Sequence, residues 1–390
     1  MKLSKLKLLI SMVAVLALVA AACGGDDSSD ETTAAPAETE APTETEAAAA
    51  MPGEGTTITM ARADWSTGYF QAAVYRQLLQ ELGYEVSDPA DLELGPSLAY
   101  LSMAQGDFDF WVNSWYPGHT SWWEPELPDG TTVGDHLEVV GEEMMAGGLQ
   151  GYLVTKTFAE EFGLTTMDDL NSNPDALAAF DADDPVPGNG IADIYGCQES
   201  WTCDNIITSQ IAFSGWENIQ QTIAGYDAMI AEAVGKANDG EPMVIYTWTP
   251  SAYITELRPG DNVVWIGVEE TLDDSNPTGQ DGGESHDQRP GTANIGPEQC
   301  PAAETSGTCQ LGWIAADIQV TGNKDFLDAN PAAKKLFELV QLPIIDVSLA
   351  NVEQDAGRNT NEDIQALASE WIDNNRASVD AWLAEAAAAG

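Results

Sequence analysis

The chain has 390 residues, of which 64 are acidic and 14 basic, giving a formal charge of −50 at pH 7. A field of that sign excludes a nucleic-acid binder, which needs the opposite charge. Two readings of the charge compete: an ordinary solvated acidic surface, and adaptation to high salt, where screening relieves self-repulsion.

In chain order, Lys2, Lys5 and Lys7 precede an apolar run from Leu8 to Ala22 that is broken only by Ser11. The run is short for a bilayer crossing and suits an export signal, residues 1–22. Its end, Ala20-Ala21-Ala22-Cys23-Gly24, resembles a bacterial lipoprotein box, with Ala20 where leucine is more usual. Cys23 is therefore the expected lipidation site, and an ordinary signal peptide followed by a cysteine is the alternative. No second apolar run of spanning length follows, so the chain is expected outside the cytoplasm, held to the membrane by lipid. Asp26 to Ala50 is Asp, Glu, Thr, Ala and Pro with almost nothing to bury, and residues 23–52 read as an acidic disordered tether.

Of the 64 acids eight lie before residue 51, and of the 14 bases three do, so the remaining chain carries 56 acids against 11 bases. That remainder is long enough for two lobes, each with its own core. Thr56 to Met60 reads as a strand. Phe70, Val74, Leu78 and Leu82 recur every four residues, and Gly83 closes that helix. A strand at Tyr84 to Val86, a helix at Leu98 to Gln105 and a strand at Phe108 to Asn113 continue the alternation, which predicts a mainly parallel α/β sheet.

The apolar stretch Val139 to Thr155, with its Gly147-Gly148 pair, is a plausible crossing between lobes. Beyond it come helical turns at Phe158 to Phe162, helices at Asp204 to Phe213 and Tyr226 to Ala237, and strands at Met243 to Thr247 and Asn262 to Ile266. Asp273 to Pro301 is polar loop. Trp313 to Val320 reads as a strand, and a helical tail follows in which Pro331 suits a helix start. The expected division is a first lobe from 53–149 and 315–390 and a second from 150–314.

With Cys23 lipidated, Cys197, Cys203, Cys300 and Cys309 remain, and in an oxidising compartment they read as the disulfides 197–203 and 300–309. Zinc is the alternative reading, but no histidine is near either pair and neither spacing is C-x-x-C. No nucleophile elbow, H-E-x-x-H, dinucleotide fingerprint or P-loop is present, so an enzyme, a metal and a cofactor are not expected. Asp181-Ala182-Asp183 with Asn189 and Asp193 faintly resembles a calcium loop, but Pro185 to Gly188 break its spacing and a plain acidic turn is favoured. A surface scaffold would explain the anchor but not the placement of the tryptophans.

Three of the 12 tryptophans sit in loop-like contexts: Ser114-Trp115-Tyr116-Pro117-Gly118-His119, Ser200-Trp201-Thr202-Cys203-Asp204 and Tyr246-Thr247-Trp248-Thr249-Pro250. Trp115 and Trp248 follow strands, where open α/β sheets bind ligands. Packing alone is the competing reading. Indole faces attract a cation by roughly 0.5–2 kcal/mol each, and a methylated ammonium, which has no N–H to donate, is held by such faces. The anion of a zwitterion would then meet the amides of Thr202 and Cys203 at a helix start, with His119 as a side-chain donor.

At these residues the chain resembles the glycine betaine/proline betaine-binding proteins of ABC importers, the ProX type, with an OpuAC-like substrate-binding domain. The likeness runs with few gaps from about residue 56 to residue 387 and is carried by "NSWYPGH", "GCQESWTCD", "YTWTP", "QGYLV", "ELRPGDNVVW", "QLPIIDV" and "EDIQ". It implies a two-lobe, type II periplasmic-binding-protein-like α/β fold with the ligand in the cleft. It also implies an ammonium box of Trp115, Trp201 and Trp248, a carboxylate held by His119 and the amides of Thr202 and Cys203, a 197–203 disulfide, and a partner permease. Glycine betaine or proline betaine is the expected ligand, and choline or another quaternary ammonium solute the alternative. The chain departs from the family at Tyr116, which replaces a small residue, at Gly118, which replaces a bulkier one, and in the 300–309 loop. Trp65, in "RADWST", is a fourth candidate wall alongside a packing reading, and Tyr116 is a further candidate contact.

Overall fold

The computed structural model of the protein describes residues 51–272, 292–293 and 295–390. The export signal, Cys23, nearly all of the tether and much of the 273–301 loop lie outside the described residues. Among the described residues no helix is long and apolar enough to cross a membrane.

A 19-residue strand, Leu137–Thr155, organises the sheet. Its first part pairs antiparallel with strand Ala316–Asn323, from Leu137 opposite Asn323 to Gly148 opposite Ala316. At Leu149 the partner changes to strand Val244–Thr249, also antiparallel, and Val263–Ile266 flanks Tyr152 to Thr155 on the other edge. The outer strands are Phe110–Tyr116 beside Ala316–Asn323, and Ala192–Tyr195 with Ile219–Thr222 beyond Val244–Thr249. The change of partner falls at the Gly147-Gly148 pair.

The large sheet is therefore mixed rather than mainly parallel. Its parallel strand pairs are those of Ala192–Tyr195 with its two neighbours, a single parallel bridge joins Met60 to Phe110, and two short parallel ladders join 57–58 to 85–86 and 62–63 to 93–94. The physical reason is the crossing strand itself. The chain passes along it once and returns three times, through Val244–Thr249, Val263–Ile266 and Ala316–Asn323, and each return runs antiparallel.

Helices follow their apolar spacing. Helix Tyr69–Glu81 buries Phe70, Val74 and Leu78 and ends before Gly83, whose φ of 92° suits a residue without a Cβ. The tail forms helices Lys324–Ala329, Pro331–Leu339, Ile344–Asp355, Asn361–Asn374 and Arg376–Ala389. Thr360 and Asp363 close a capping box on the fourth of these. That helix returns to the start of the chain: Gln77 Nε2 donates to the Gln365 carbonyl at 2.8 Å, and the Phe70 and Trp371 rings lie 6.4 Å apart.

Candidate functional site

The ends of two strands and the start of one helix meet around a cavity with about 450 Å³ of empty space, mouth included. Its walls hold Trp65, Trp115, His119, Trp201, Thr202, Cys203 and Trp248, which the sequence singles out, together with Pro96, Gly118, Gln150, Ile206 and Tyr246. All four tryptophans are buried.

Strand alternation decides which residues face in. On Phe110–Tyr116, Trp111, Asn113 and Trp115 share one face. Tyr116 must then point the other way. Its hydroxyl bonds Thr321 Oγ1 at 2.8 Å, and it is not in the cavity wall. The structure thus places Tyr116, a candidate contact, outside the wall of this cavity. On Val244–Thr249 the same period puts Tyr246 and Trp248 on the cavity face. Trp115 lies against the crossing strand where a Cβ on Gly148 would sit 2.5 Å from its ring, so glycine there admits the indole.

Each of the four indole N–H groups already has a protein acceptor. Trp65 and Trp115 both donate to Asn113 Oδ1, at 2.9 and 2.8 Å. Trp201 donates to Asp64 Oδ1 at 2.8 Å and Trp248 to Thr67 Oγ1 at 3.1 Å. The rings Trp65 and Trp201, and Trp201 and Trp248, meet edge to face with centroids 5.5 and 5.6 Å apart. With their edges engaged, the indoles offer the cavity π faces rather than donors. That chemistry suits a cation that neither donates nor accepts a hydrogen bond.

The polar end is built differently. The backbone N–H of Trp115 donates to His119 Nδ1 at 3.1 Å, and the Tyr100 hydroxyl lies 2.9 Å from the same atom. An amide N–H can only donate, so Nδ1 is the acceptor and the neutral ring carries its proton on Nε2. Burial pushes the imidazole pKa down to about 3, so the ring stays neutral across the ordinary pH range. His119 thus presents an uncharged N–H donor to the cavity. Helix Thr202–Phe213 begins beside it, with Trp201 at its N-cap and no side chain capping its first turn. Thr202 and Cys203 are its first residues, and a disulfide joins Cys203 to Cys197. The second disulfide, Cys300–Cys309, lies in a separate loop.

Sequence reasoning missed Asn113, Asp64, Gln150 and Tyr246. The signal was present for two of them: Asn113 and Tyr246 lie two residues before Trp115 and Trp248, the spacing that keeps a strand residue on the same face. The acidic 181–193 turn is self-bonded. Asp181 Oδ1 accepts the amides of Gly188 and Asn189, and Asp184 Oδ2 accepts that of Asp193.

Residues 56–374 match the family model for the substrate-binding domain of ABC-type glycine betaine transport systems. The chain is 30% identical over 340 residues to the glycine betaine-binding periplasmic protein OusX of Dickeya dadantii, covering 87% of this chain and 92% of that protein. It is 29% identical to the glycine betaine/proline betaine-binding periplasmic protein of Escherichia coli, covering 88% and 93% of the two chains. Among solved structures, lactococcal OpuAC in its closed conformation with glycine betaine aligns with a TM-score of 0.55 at 15% identity, covering 84% of this chain and 99% of that one. An ABC-transporter choline-binding protein in complex with choline aligns with a TM-score of 0.56 at 15% identity, covering 85% and 96%. These likenesses show a two-lobe, type II periplasmic-binding-protein fold. The chain belongs to the family of substrate-binding domains of ABC-type glycine betaine transport systems, whose members bind a solute for a transporter and are not enzymes.

Proposed function

We propose that the protein captures glycine betaine, or the closely related proline betaine, outside the cytoplasmic membrane and delivers it to an ABC permease for osmoprotection. The trimethylammonium group lies among the faces of Trp65, Trp115, Trp201 and Trp248, and the carboxylate meets His119 Nε2–H and the amides of Thr202 and Cys203. The observation that carries this reading is the pairing of four edge-bound indoles with a neutral histidine donor in one cavity. In this reading residues 53–149 and 315–390 form one lobe and 150–314 the other, which agrees with the change of strand partners at Leu149. Cys23 carries the lipid that holds the protein to the membrane, with residues 23–52 as its tether.

Choline is the second reading, favoured by the choline-bound structural relative. It shares the trimethylammonium and lacks the anion. Calorimetric titration separates the two: stoichiometric binding of glycine betaine, with choline weaker by about tenfold or more, is the expected result. Failure of glycine betaine to bind would overturn the proposal, and tighter binding of choline would select the second reading.

A further inference from the structure

Asn113 Oδ1 accepts both the Trp65 and the Trp115 indole N–H. The Asn113 amide nitrogen must then face away from them, and it donates to Gln71 Oε1 at 2.8 Å. That fixes the Gln71 amide in turn, whose nitrogen donates to Glu143 Oε1 at 2.7 Å. Gln71, Asn113 and Glu143 are each no more than 2% exposed, so water offers no substitute partners.

The chain has only one consistent direction. Indole N–H groups can only donate and sit at one end; a carboxyl oxygen that accepts closes the other. Reversing either amide between them would set donor against donor. Glu143 itself is on the crossing strand and does not line the cavity. The polar groups that face it are Gln71 and Tyr75, both on helix Tyr69–Glu81, and burial raises its pKa to about 8. A carboxyl group is a costly choice for filling a buried site. Its one function visible in the geometry is to hold the far end of this chain.

We propose that Glu143 is a positioning residue for the ligand site: acting through Gln71, it sets the direction in which the Asn113 oxygen points and so holds the Trp65 and Trp115 faces toward the cavity. The proposal rests on the reading of this cavity as the ligand site. It extends that reading to a carboxyl group that never touches the ligand.

The test uses Glu143→Leu, which removes the acceptor, and Glu143→Gln, which keeps one. Should Glu143→Leu fail to fold, the double variant Gln71→Leu/Glu143→Leu replaces both partners with apolar groups of similar size, a change that can be nearly neutral for stability. Two quantities are read: glycine betaine affinity by calorimetry, and the indole N–H resonances of the ligand-free protein. Glu143→Leu, or the double variant, is expected to weaken binding about tenfold, with Glu143→Gln restoring most of the loss. The Trp65 and Trp115 resonances should move while those of Trp201 and Trp248 stay. Wild-type affinity with unmoved resonances would overturn the proposal. So would equal movement of all four, which marks general softening, or a loss that Glu143→Gln does not restore. If wild-type protein bound no glycine betaine, the functional reading would fail, and the ligand-free resonances would still decide the positioning role.

Discussion

Trp65 and Trp115 on the one hand, and Trp201 and Trp248 on the other, face the same cavity but are held by different kinds of partner. The first pair shares Asn113, and all three residues come from one stretch of chain backed by a buried hydrogen-bond path. The second pair reaches across 137 and 181 residues of sequence, to Asp64 and Thr67. In the proposed lobe division those two bonds cross the cleft, and so does the bond from Trp122 Nε1 to Thr202 Oγ1 at 2.8 Å. One half of the proposed box would thus be set within a single lobe, and the other completed by closure. In the proposed function the indole whose face receives the cation also uses its edge to tie the two proposed lobes together, so ligand capture and closure would draw on shared residues.

The largest expected effect comes from removing a wall. Trp115→Ala, Trp201→Ala and Trp248→Ala should each cost about 2 kcal/mol of glycine betaine affinity, roughly thirtyfold. Intrinsic fluorescence titration checks this, and near-wild-type affinity in two of the three would remove the box. Next, His119→Ala should weaken glycine betaine about tenfold while leaving choline nearly unchanged, narrowing the gap between the two ligands. Equal losses for both ligands would show that His119 does not meet the carboxylate.

The comparison between the pairs sharpens with the closure contacts. Asp64→Ala and Thr67→Val should each weaken binding by about fivefold, one hydrogen bond's worth. Small-angle scattering should show a more open ligand-free protein in both variants, a change that Glu143→Leu should not produce. If the Glu143 variant opened the molecule as well, the two pairs would not be held in distinct ways.

Proton linkage gives a smaller and independent effect. The Glu143 pKa is raised from 4.5 to about 8 by burial, so between those values the folded protein keeps a proton that the unfolded chain has released. Stability from this group is fully present below pH 4.5 and is lost as pH rises through about 8. Thermal unfolding across that range should show a steeper decline for wild type than for Glu143→Gln, and parallel curves would refute the assignment. His119, held neutral with a pKa of about 3, should add no pH dependence to glycine betaine affinity between about pH 5 and 8.

Salt should have no effect on affinity and a visible one on stability. Nine basic side chains, among the described residues, already pair with carboxylates, so the surplus acids have only counterions to balance them. Raising NaCl from about 0.05 to about 2 M, where the Debye length falls below ~3 Å, should raise the melting temperature and leave binding of the neutral zwitterion unchanged. A flat melting temperature would discard salt adaptation in favour of an ordinary solvated surface.

Much of the site was legible because strand ends and helix starts have local signatures. Trp115 and Trp248 follow apolar runs, and Trp201 immediately precedes a helix, so their neighbourhood could be read without the fold. Strand direction could not, because an apolar run reads the same in either sense; the antiparallel returns along Leu137–Thr155 are a product of topology. Tyr116 adjoins Trp115 in sequence, but strand alternation turns it to the opposite face, toward Thr321. Glu143 had no signal at all. It sits in "VVGEEMMAGG", where an acid reads as a solvent-facing residue, and its partner Gln71 is 72 positions away.

The most direct test of the central claim is a crystal structure with glycine betaine bound. The trimethylammonium nitrogen should lie over the faces of Trp115, Trp201 and Trp248, with Trp65 as the fourth wall. The carboxylate should lie within hydrogen-bond distance of His119 Nε2 and the amides of Thr202 and Cys203. A ligand bound in the reverse orientation, or outside this cavity, would contradict the account.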